Sequence, residues 1–125
     1  MSVYRLPEYL HHMQQAAVDA CGFVAGQAKD DFLADKRTQQ AVIMSLVIIG
    51  EAATRVMEMY GEFAQTHPEV PWRSMRGMRN RIAHGYFDIN IDVVWDTVQT
   101  ALPELLKRLP AAQTDAENET PQASL

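Results

Sequence analysis

An acid-free stretch between Pro71 and Tyr86 concentrates the residues best suited to chemistry on phosphate. It holds one histidine, His84, and four arginines: Arg73, Arg76, Arg79 and Arg81. The whole chain has a net charge of −5, and because these arginines contribute +4, the rest sums to −9. Arginine binds phosphate through a planar fork of donors, and histidine is best suited to move protons near neutral pH. The combination predicts a site for a phosphodiester, and RNA is the substrate we expect.

Arg79 and His84 lie five residues apart, so on a helix they are separated by about 140° and do not share a face. Three arrangements could still unite them. The long arginine side chain could reach the histidine, the helix could unwind near Gly85, or two copies of the motif could meet across a dimer.

Cleavage of RNA by its own 2′-hydroxyl favours the dimer among these arrangements. The reaction needs one group to take a proton, another to supply one, and positive charge for the developing phosphorane oxygens. One histidine cannot fill both proton-transfer roles at once. We therefore expect a homodimer that brings two copies of His84 and two of Arg79 into one groove.

Residue types alone also fit structural interpretations. Arginines spaced three apart are typical of a solvated helix face, and a histidine at a helix end is commonly a capping or packing residue. Tyr86 beside Phe87 is ordinarily read as an aromatic packed at the helix end. At this stage both the structural and the catalytic interpretations remain open.

Length and composition limit the classes of protein that fit. A chain of 125 residues is long enough for one core. Its net acidity argues against a protein that coats nucleic acid non-specifically, because such binding needs broad positive surfaces. No apolar run approaches the roughly 20 residues of a membrane span, and no secretory signal is recognisable. The single cysteine, Cys21, fits a reducing compartment. We expect a cytoplasmic protein with no membrane partner, cofactor or metal site.

Helical periodicity predicts an all-α fold. Apolar residues at spacings of three and four predict long helices over about residues 7–28 and 35–59. Gly22 and Gly26, four apart, predict a close approach by another helix. Glu51 is a carboxylate in an otherwise apolar helix, and one interpretation pairs it with an arginine of the motif helix.

The second half of the chain predicts a short helix that carries the motif and a kinked final helix. Pro71 suits the first turn of the short helix, and Gly85 suits a left-handed residue just past its end. Residues 65–70 are predicted to form a loop, and Asp88 and Asn90 are candidate caps for the final helix. Pro103 should kink or divide that helix. Its buried side is predicted to consist of Val94, Val98, Leu102, Leu105 and Leu109.

The composition becomes polar from Pro110 onward, with no large apolar residue before Leu125. Such a segment cannot bury enough apolar surface to offset the entropy of ordering. We therefore predict a domain over residues 1–109 and a disordered acidic tail over residues 110–125.

The motif resembles that of a known family. Arg79, four residues, His84, one residue and Tyr86 reproduce the R-x4-H-x-Y signature of the HepT-like toxins of the HEPN superfamily. Similarity extends to segments 49–52, 72–81 and 86–105, and it covers roughly residues 5–109.

This resemblance implies a HEPN-type helical bundle that acts as a homodimer with metal-independent ribonuclease activity. It further implies the toxin of a type VII toxin–antitoxin module, whose nucleotidyltransferase antitoxin transfers AMP to the motif tyrosine, here Tyr86. Arg79 would stabilise transition-state charge and His84 would transfer protons. Asn80 would orient the phosphate or the catalytic groups. Arg73 and Arg76 would steer RNA toward the groove.

The main alternative is a HEPN dimer that binds a nucleotidyltransferase without cutting RNA. The intact Arg79 and His84 favour the enzyme, whereas the overall acidity favours the binding role. A purely structural helical bundle would leave the cluster of arginine, histidine and tyrosine unexplained.

Overall fold

The structure is a computed structural model that describes residues 3–119. These residues form an all-α bundle without a strand, which confirms the predicted fold class. The helices are α1 (Leu6–Phe23), α2 (Lys29–Leu33), α3 (Lys36–Met59), α4 (Gly61–Thr66), α5 (Trp72–His84), α6 (Ile91–Asp96) and α7 (Leu102–Asn118). A 3-10 turn, Tyr86–Asp88, follows α5, and a π-helical turn, Thr97–Ala101, joins α6 to α7. Within this part of the chain, no helix combines the length and apolarity needed to cross a bilayer.

Helix α3 is the centre of the bundle, because α1 and α5 both pack against it while α7 packs against α1. The apolar residues that recur along each helix form one core, with Leu10, Met13 and Val42 fully buried. Burial of such side chains is the main favourable term in folding. The motif helix is thereby held against the middle of the longest helix.

Helix α3 begins where the sequence predicts, at the cap residue Asp35. The Asp35 carboxylate accepts the Thr38 N–H at 3.1 Å and the Thr38 hydroxyl at 2.6 Å. It also accepts a hydrogen bond from the Gln27 amide at 3.0 Å. These bonds, led by the one from the Thr38 hydroxyl, hold the pKa of Asp35 below its ordinary value. The capped carboxylate ties the start of α3 to the segment before it.

Two predictions about glycines are wrong. The first helix ends at Phe23 rather than near residue 28, and Gly26 lies beyond it with φ +82°, a left-handed conformation that interrupts a helix. A Cβ added at Gly22 or Gly26 would meet nothing within 4 Å, so no helix among residues 3–119 approaches them closely. Gly85 follows the end of α5 as predicted, but its φ of −149° is not left-handed.

The predicted loop over residues 65–70 is only partly correct. Helix α4 continues to Thr66, so the loop to α5 consists of residues 67–71. Pro71 is the N-cap residue of α5, one position before the first turn in which it is predicted.

The predicted buried side of the last helical region is confirmed at all five positions, namely Val94, Val98, Leu102, Leu105 and Leu109. Asn90 caps α6 by accepting the Val93 N–H at 3.2 Å. The predicted division by Pro103 takes the form of the π-helical turn just before α7. There the Leu102 N–H donates to the Thr97 carbonyl, five residues back. Proline has no N–H to donate within a helix, so the π-helical turn lies where the pattern of backbone hydrogen bonds is already interrupted.

The prediction of a disordered tail from Pro110 is wrong for residues 110–118, because α7 continues to Asn118. Ala112 and Ala116, four apart, are fully buried, and the Tyr4 hydroxyl donates to the Ala116 carbonyl at 2.7 Å. Small alanines let the helix pack closely without a large apolar side chain. Composition therefore underestimated the order of this segment. Glu119 is the C-cap of α7, and residues 120–125 of the predicted tail lie outside the described residues.

Candidate active site

The Arg79 guanidinium on α5 is anchored to α3 by two hydrogen bonds. Its Nη1 donates to Glu51 Oε1 at 2.9 Å, and its Nη2 donates to Thr54 Oγ1 at 3.3 Å. The arginine side chain is 24% exposed. Each terminal nitrogen has a second N–H that these bonds do not use. The guanidinium is thus held in place while it retains donors for a phosphate oxygen, and the interpretation that pairs Glu51 with a motif arginine is confirmed.

Gly50 is what allows α5 to approach α3 at this point. A Cβ at residue 50 would lie 2.3 Å from Arg79 Cβ and 2.6 Å from the Met75 carbonyl oxygen. No side chain larger than hydrogen fits that space. Because Gly50 immediately precedes Glu51, the close approach and the ion pair occupy the same turn of α3.

Glu51 and Thr54 each make a second contact that orients them. Glu51 Oε2 lies 3.4 Å from Arg55 Nε, so one carboxylate bridges two arginines. The Thr54 hydroxyl donates to the Gly50 carbonyl at 2.8 Å while it accepts from Arg79. Arg79 Nε is buried without a hydrogen-bond partner in residues 3–119. The arginine is therefore positioned through the tip of its guanidinium.

His84 is the last residue of α5, and its side chain is exposed. Within the described residues, neither His84 nor the exposed Asn80 makes a side-chain hydrogen bond, and none joins Arg79 to His84. The helix does not unwind before Gly85, and Glu51 holds the arginine elsewhere. Of the three arrangements that could unite the pair, neither unwinding nor reach along one chain occurs in this structure.

Arg73 and Arg76 lie in a different place from the anchored arginine. Together with Trp72, Ser74 and residues of the α4 side they line a groove of about 520 Å³. Arg73 is exposed and Arg76 is half-buried. Arg79 and His84 do not line this groove. The basic residues therefore extend along α5 rather than converging on one pocket of the single chain.

Tyr86 and Phe87 form an exposed aromatic pair just past the end of α5. They are 62% and 88% exposed, with ring centroids 4.5 Å apart and planes tilted by 41°. The interpretation of Tyr86 as an aromatic packed at the helix end is therefore wrong, because its only aromatic contact in the described residues is the exposed Phe87. Its exposure leaves the ring accessible two residues from His84.

Sequence reasoning missed three residues of this region. Gly50 could have been recognised as a glycine inside an apolar helix, where it is costly unless a neighbour needs the space. Thr54 lies one turn after Glu51 and gave no comparable signal. Nothing in the sequence indicated that the Phe87 ring is exposed, because most phenylalanines are buried.

A helical bundle that presents an anchored arginine, with an exposed histidine five residues later on the same helix, has the features of a HEPN-type domain. The chain belongs to the HepT-like ribonuclease family, since the family described as "Ribonuclease HepT-like" matches residues 13–112. This bears out the resemblance seen in the motif.

Named relatives agree with this assignment. "Putative RNase MJ0127" of Methanocaldococcus jannaschii is 36% identical over 111 residues, covering 89% of each chain. "Probable ribonuclease HepT" of Thermococcus cleftensis is 40% identical over 98 residues, covering 78% of this chain and 86% of that protein. "Putative RNase TTE0752" of Caldanaerobacter subterraneus is 37% identical over 101 residues, covering 81% and 88%. No solved structure matches the chain significantly.

Proposed function

We propose that this protein is a metal-independent endoribonuclease and the cytoplasmic toxin of a type VII toxin–antitoxin module. The observation that carries the proposal is the Arg79 guanidinium, fixed by Glu51 and Thr54 on the helix that ends in exposed His84. Family membership and the names of the relatives support ribonuclease chemistry.

The proposed reaction is attack of a 2′-hydroxyl on the adjacent phosphate. The 2′-oxygen loses its proton to His84 and forms the new P–O bond, while the bond to the 5′-oxygen breaks. The leaving oxygen takes a proton from His84 of the partner subunit. Arg79 stabilises the negative charge that develops on the phosphorane oxygens. The products are a 2′,3′-cyclic phosphate and a 5′-hydroxyl.

A homodimer would complete this site, and the surface of α3 supports one. Met44 and Ile48 are exposed apolar residues on the α3 turns that precede Glu51. They line a groove of about 620 Å³ together with Tyr9 and Arg55. An exposed apolar patch beside a site is typical of an interaction surface. A two-fold axis near it would bring together two copies of each catalytic residue.

Cleavage in excess EDTA tests the proposal. Purified protein is incubated with RNA beside Arg79→Ala and His84→Ala, with Arg37→Ala as a matched arginine control outside α5. We expect cleavage by the wild type and Arg37→Ala and none by the two site variants. Equal cleavage by all four would indicate a contaminating nuclease and refute the proposal, as would loss of all cleavage in EDTA with recovery on adding a divalent metal.

The proposed antitoxin is a nucleotidyltransferase that transfers AMP to Tyr86. The exposed ring supports this assignment, because the hydroxyl is accessible and lies two residues from His84. AMP there would add a bulky anion that repels RNA phosphates. Intact mass after incubation with ATP and the nucleotidyltransferase tests it. We expect the wild type and Tyr4→Phe to gain the mass of AMP and Tyr86→Phe to remain unmodified. A mass gain in Tyr86→Phe would exclude this site.

The alternative function is that of a non-catalytic HEPN dimer that binds the nucleotidyltransferase. The net charge of −5 favours it, because an acidic body repels RNA. It predicts a stable complex with the nucleotidyltransferase and no RNA cleavage by the wild type under any of the conditions above.

A further inference from the structure

We propose that Phe87, supported by Tyr86, forms a stacking subsite for an unpaired base of the RNA next to the cleaved phosphate. The enzyme would then act on single-stranded RNA and reject the same sequence in a duplex. This inference rests on the proposed ribonuclease function and names the class of RNA that the same site takes.

Phe87 is an anomaly among the phenylalanines of the described residues. Phe32 and Phe63 are buried and Phe23 is 46% exposed, whereas Phe87 is 88% exposed. A ring left in water forfeits the free energy of burial that the other phenylalanines contribute. This loss of burial free energy would be recovered if another flat apolar surface covered the Phe87 ring in the functional complex.

The aromatic pair is held on an ordered turn. Tyr86 and Phe87 lie in a 3-10 turn in which the Asp88 N–H donates to the Gly85 carbonyl at 2.9 Å. The Tyr86 ring packs against Phe87 with centroids 4.5 Å apart. The Tyr86 ring therefore supports the Phe87 ring. A pair of rings that is ordered before binding loses less conformational entropy when a base stacks on it.

The surrounding charge favours an RNA base as the occupant. From Pro71 to Phe87 there is no acidic residue, and Arg81 and His84 lie in the last turn of α5 directly before the pair. Asp88 is the first acidic residue beyond it. Positive charge beside an exposed aromatic is the usual composition of a single-strand site, where the charge attracts the backbone and the ring stacks on a base. Recognition of RNA by stacking would not depend on the identity of the base, because every base has a flat π face.

Base pairing would exclude a duplex from this subsite. Bases inside an A-form helix are already stacked on their neighbours, so their faces are covered. Only an unpaired nucleotide can present its face to Phe87 while its phosphate reaches His84, three residues earlier in the chain. The subsite therefore predicts that the protein prefers single-stranded RNA to a duplex of the same sequence.

The test measures RNA binding separately from cleavage, in a His84→Ala background. A single-stranded RNA that carries 2-aminopurine is titrated with this protein, and the same RNA annealed to its complement is titrated beside it. Phe87→Ala and Phe87→Trp are compared, with Phe23→Ala as the matched control for loss of an exposed ring. We expect Phe87→Ala to weaken single-strand affinity roughly tenfold and to abolish the fluorescence change of the stacked base. Phe87→Trp and Phe23→Ala should retain both, and the duplex should bind weakly in all cases.

Three results would overturn the inference, and a fourth would overturn the proposed function. Equal affinity for single strand and duplex, or RNA binding that Phe87→Ala leaves unchanged, would remove the stacking subsite while the ribonuclease proposal stands. A Phe87→Ala protein with an altered sedimentation mass would assign Phe87 to a protein contact instead. Absence of RNA binding by every variant, together with no cleavage by the wild type, would refute the proposed function itself.

Discussion

The backbone of Gly50 on α3 lies against Arg79 on α5 so closely that a methyl group at residue 50 would come within 2.3 Å of Arg79 Cβ. The next residue along α3, Glu51, holds the guanidinium of the same arginine. Helix spacing and placement of the arginine are therefore coupled, and four predictions test this and related features.

Gly50→Ala should both destabilise the protein and reduce RNA cleavage. The added methyl group must push α5 away from α3, and such overpacking costs about 1–3 kcal/mol of the free energy of unfolding. The same movement carries Arg79 away from Glu51. Denaturant unfolding and cleavage assays measure the two effects. Gly22→Ala is the matched control, because nothing lies within 4 Å of its added Cβ, and it should leave both unchanged or slightly raise stability. Equal behaviour of the two variants would contradict the close approach.

Glu51→Ala should lower the kcat of RNA cleavage by about 10- to 100-fold, because a catalytic group that loses its orientation loses rate steeply. The KM for RNA should not rise, since removing a carboxylate does not weaken attraction of phosphate. Stability should change little, because Glu51 is half-exposed and such ion pairs contribute little.

Two further variants separate orientation of Arg79 from a structural role of Glu51. Glu51→Asp, which retains a shorter carboxylate, should recover part of kcat. Arg55→Ala removes only the second arginine on Glu51 and should remain nearly as active as the wild type. Unchanged kcat in Glu51→Ala would show that the ion pair does not position Arg79 for catalysis.

Met44→Glu should convert the proposed dimer to a monomer and reduce cleavage without unfolding the chain. Met44 is exposed on α3, so a charge there costs the monomer little, whereas two charges facing each other across a two-fold axis repel. Sedimentation velocity reports the mass, and circular dichroism reports the helix content. Val18→Glu alters an apolar residue on α1 that is 47% exposed, against 58% for Met44, and should remain dimeric. A fully active monomer would refute the shared groove.

A buried histidine away from the motif links three parts of the fold. The His67 ring lies between the Asp115 carboxylate, 2.9 Å from Nε2, and the Phe63 carbonyl, 2.8 Å from Nδ1. Its own carbonyl accepts the Trp72 indole N–H at 3.0 Å. Both ring nitrogens face acceptors, an arrangement that suits the doubly protonated imidazolium.

The pKa of His67 is raised above its ordinary value of 6.5. Burial is the largest single influence and lowers the pKa, but the hydrogen bonds to Asp115 and Phe63 and the charges of Glu69 and Asp115 together outweigh it. Since the folded pKa is the higher one, the stabilisation is fully present below the unfolded pKa. It is lost as the pH rises through the folded pKa.

Asp115→Asn should therefore lower Tm by a few degrees at about pH 5.5, and the difference should shrink toward about pH 8.5. Asn at this position retains a hydrogen-bond acceptor but removes the charge that faces the imidazolium. Thermal unfolding of both proteins across this range measures the effect. A difference that stays constant with pH would show that His67 does not titrate against Asp115.

The sequence by itself determined the helical periodicity and the residues of the motif. Val98 and Leu102 are buried as their spacing predicts, and α3 begins next to Asp35, where the periodicity predicts its start. The motif from Arg79 to Tyr86 also identified the family correctly. These features depend on residues a few positions apart, so local pattern is enough to specify them.

Only the tertiary structure decided how distant residues meet. Gly50 and Arg79 are 29 positions apart, and their contact depends on how closely α3 and α5 pack. The ordering of α7 as far as Asn118 depends on small alanines that pack closely in the core, a contribution that composition does not reveal. The exposure of Phe87 follows from where the turn after α5 leaves the core. Local preference specifies a helix and its faces, but the fit between elements far apart in sequence determines which residues form the site.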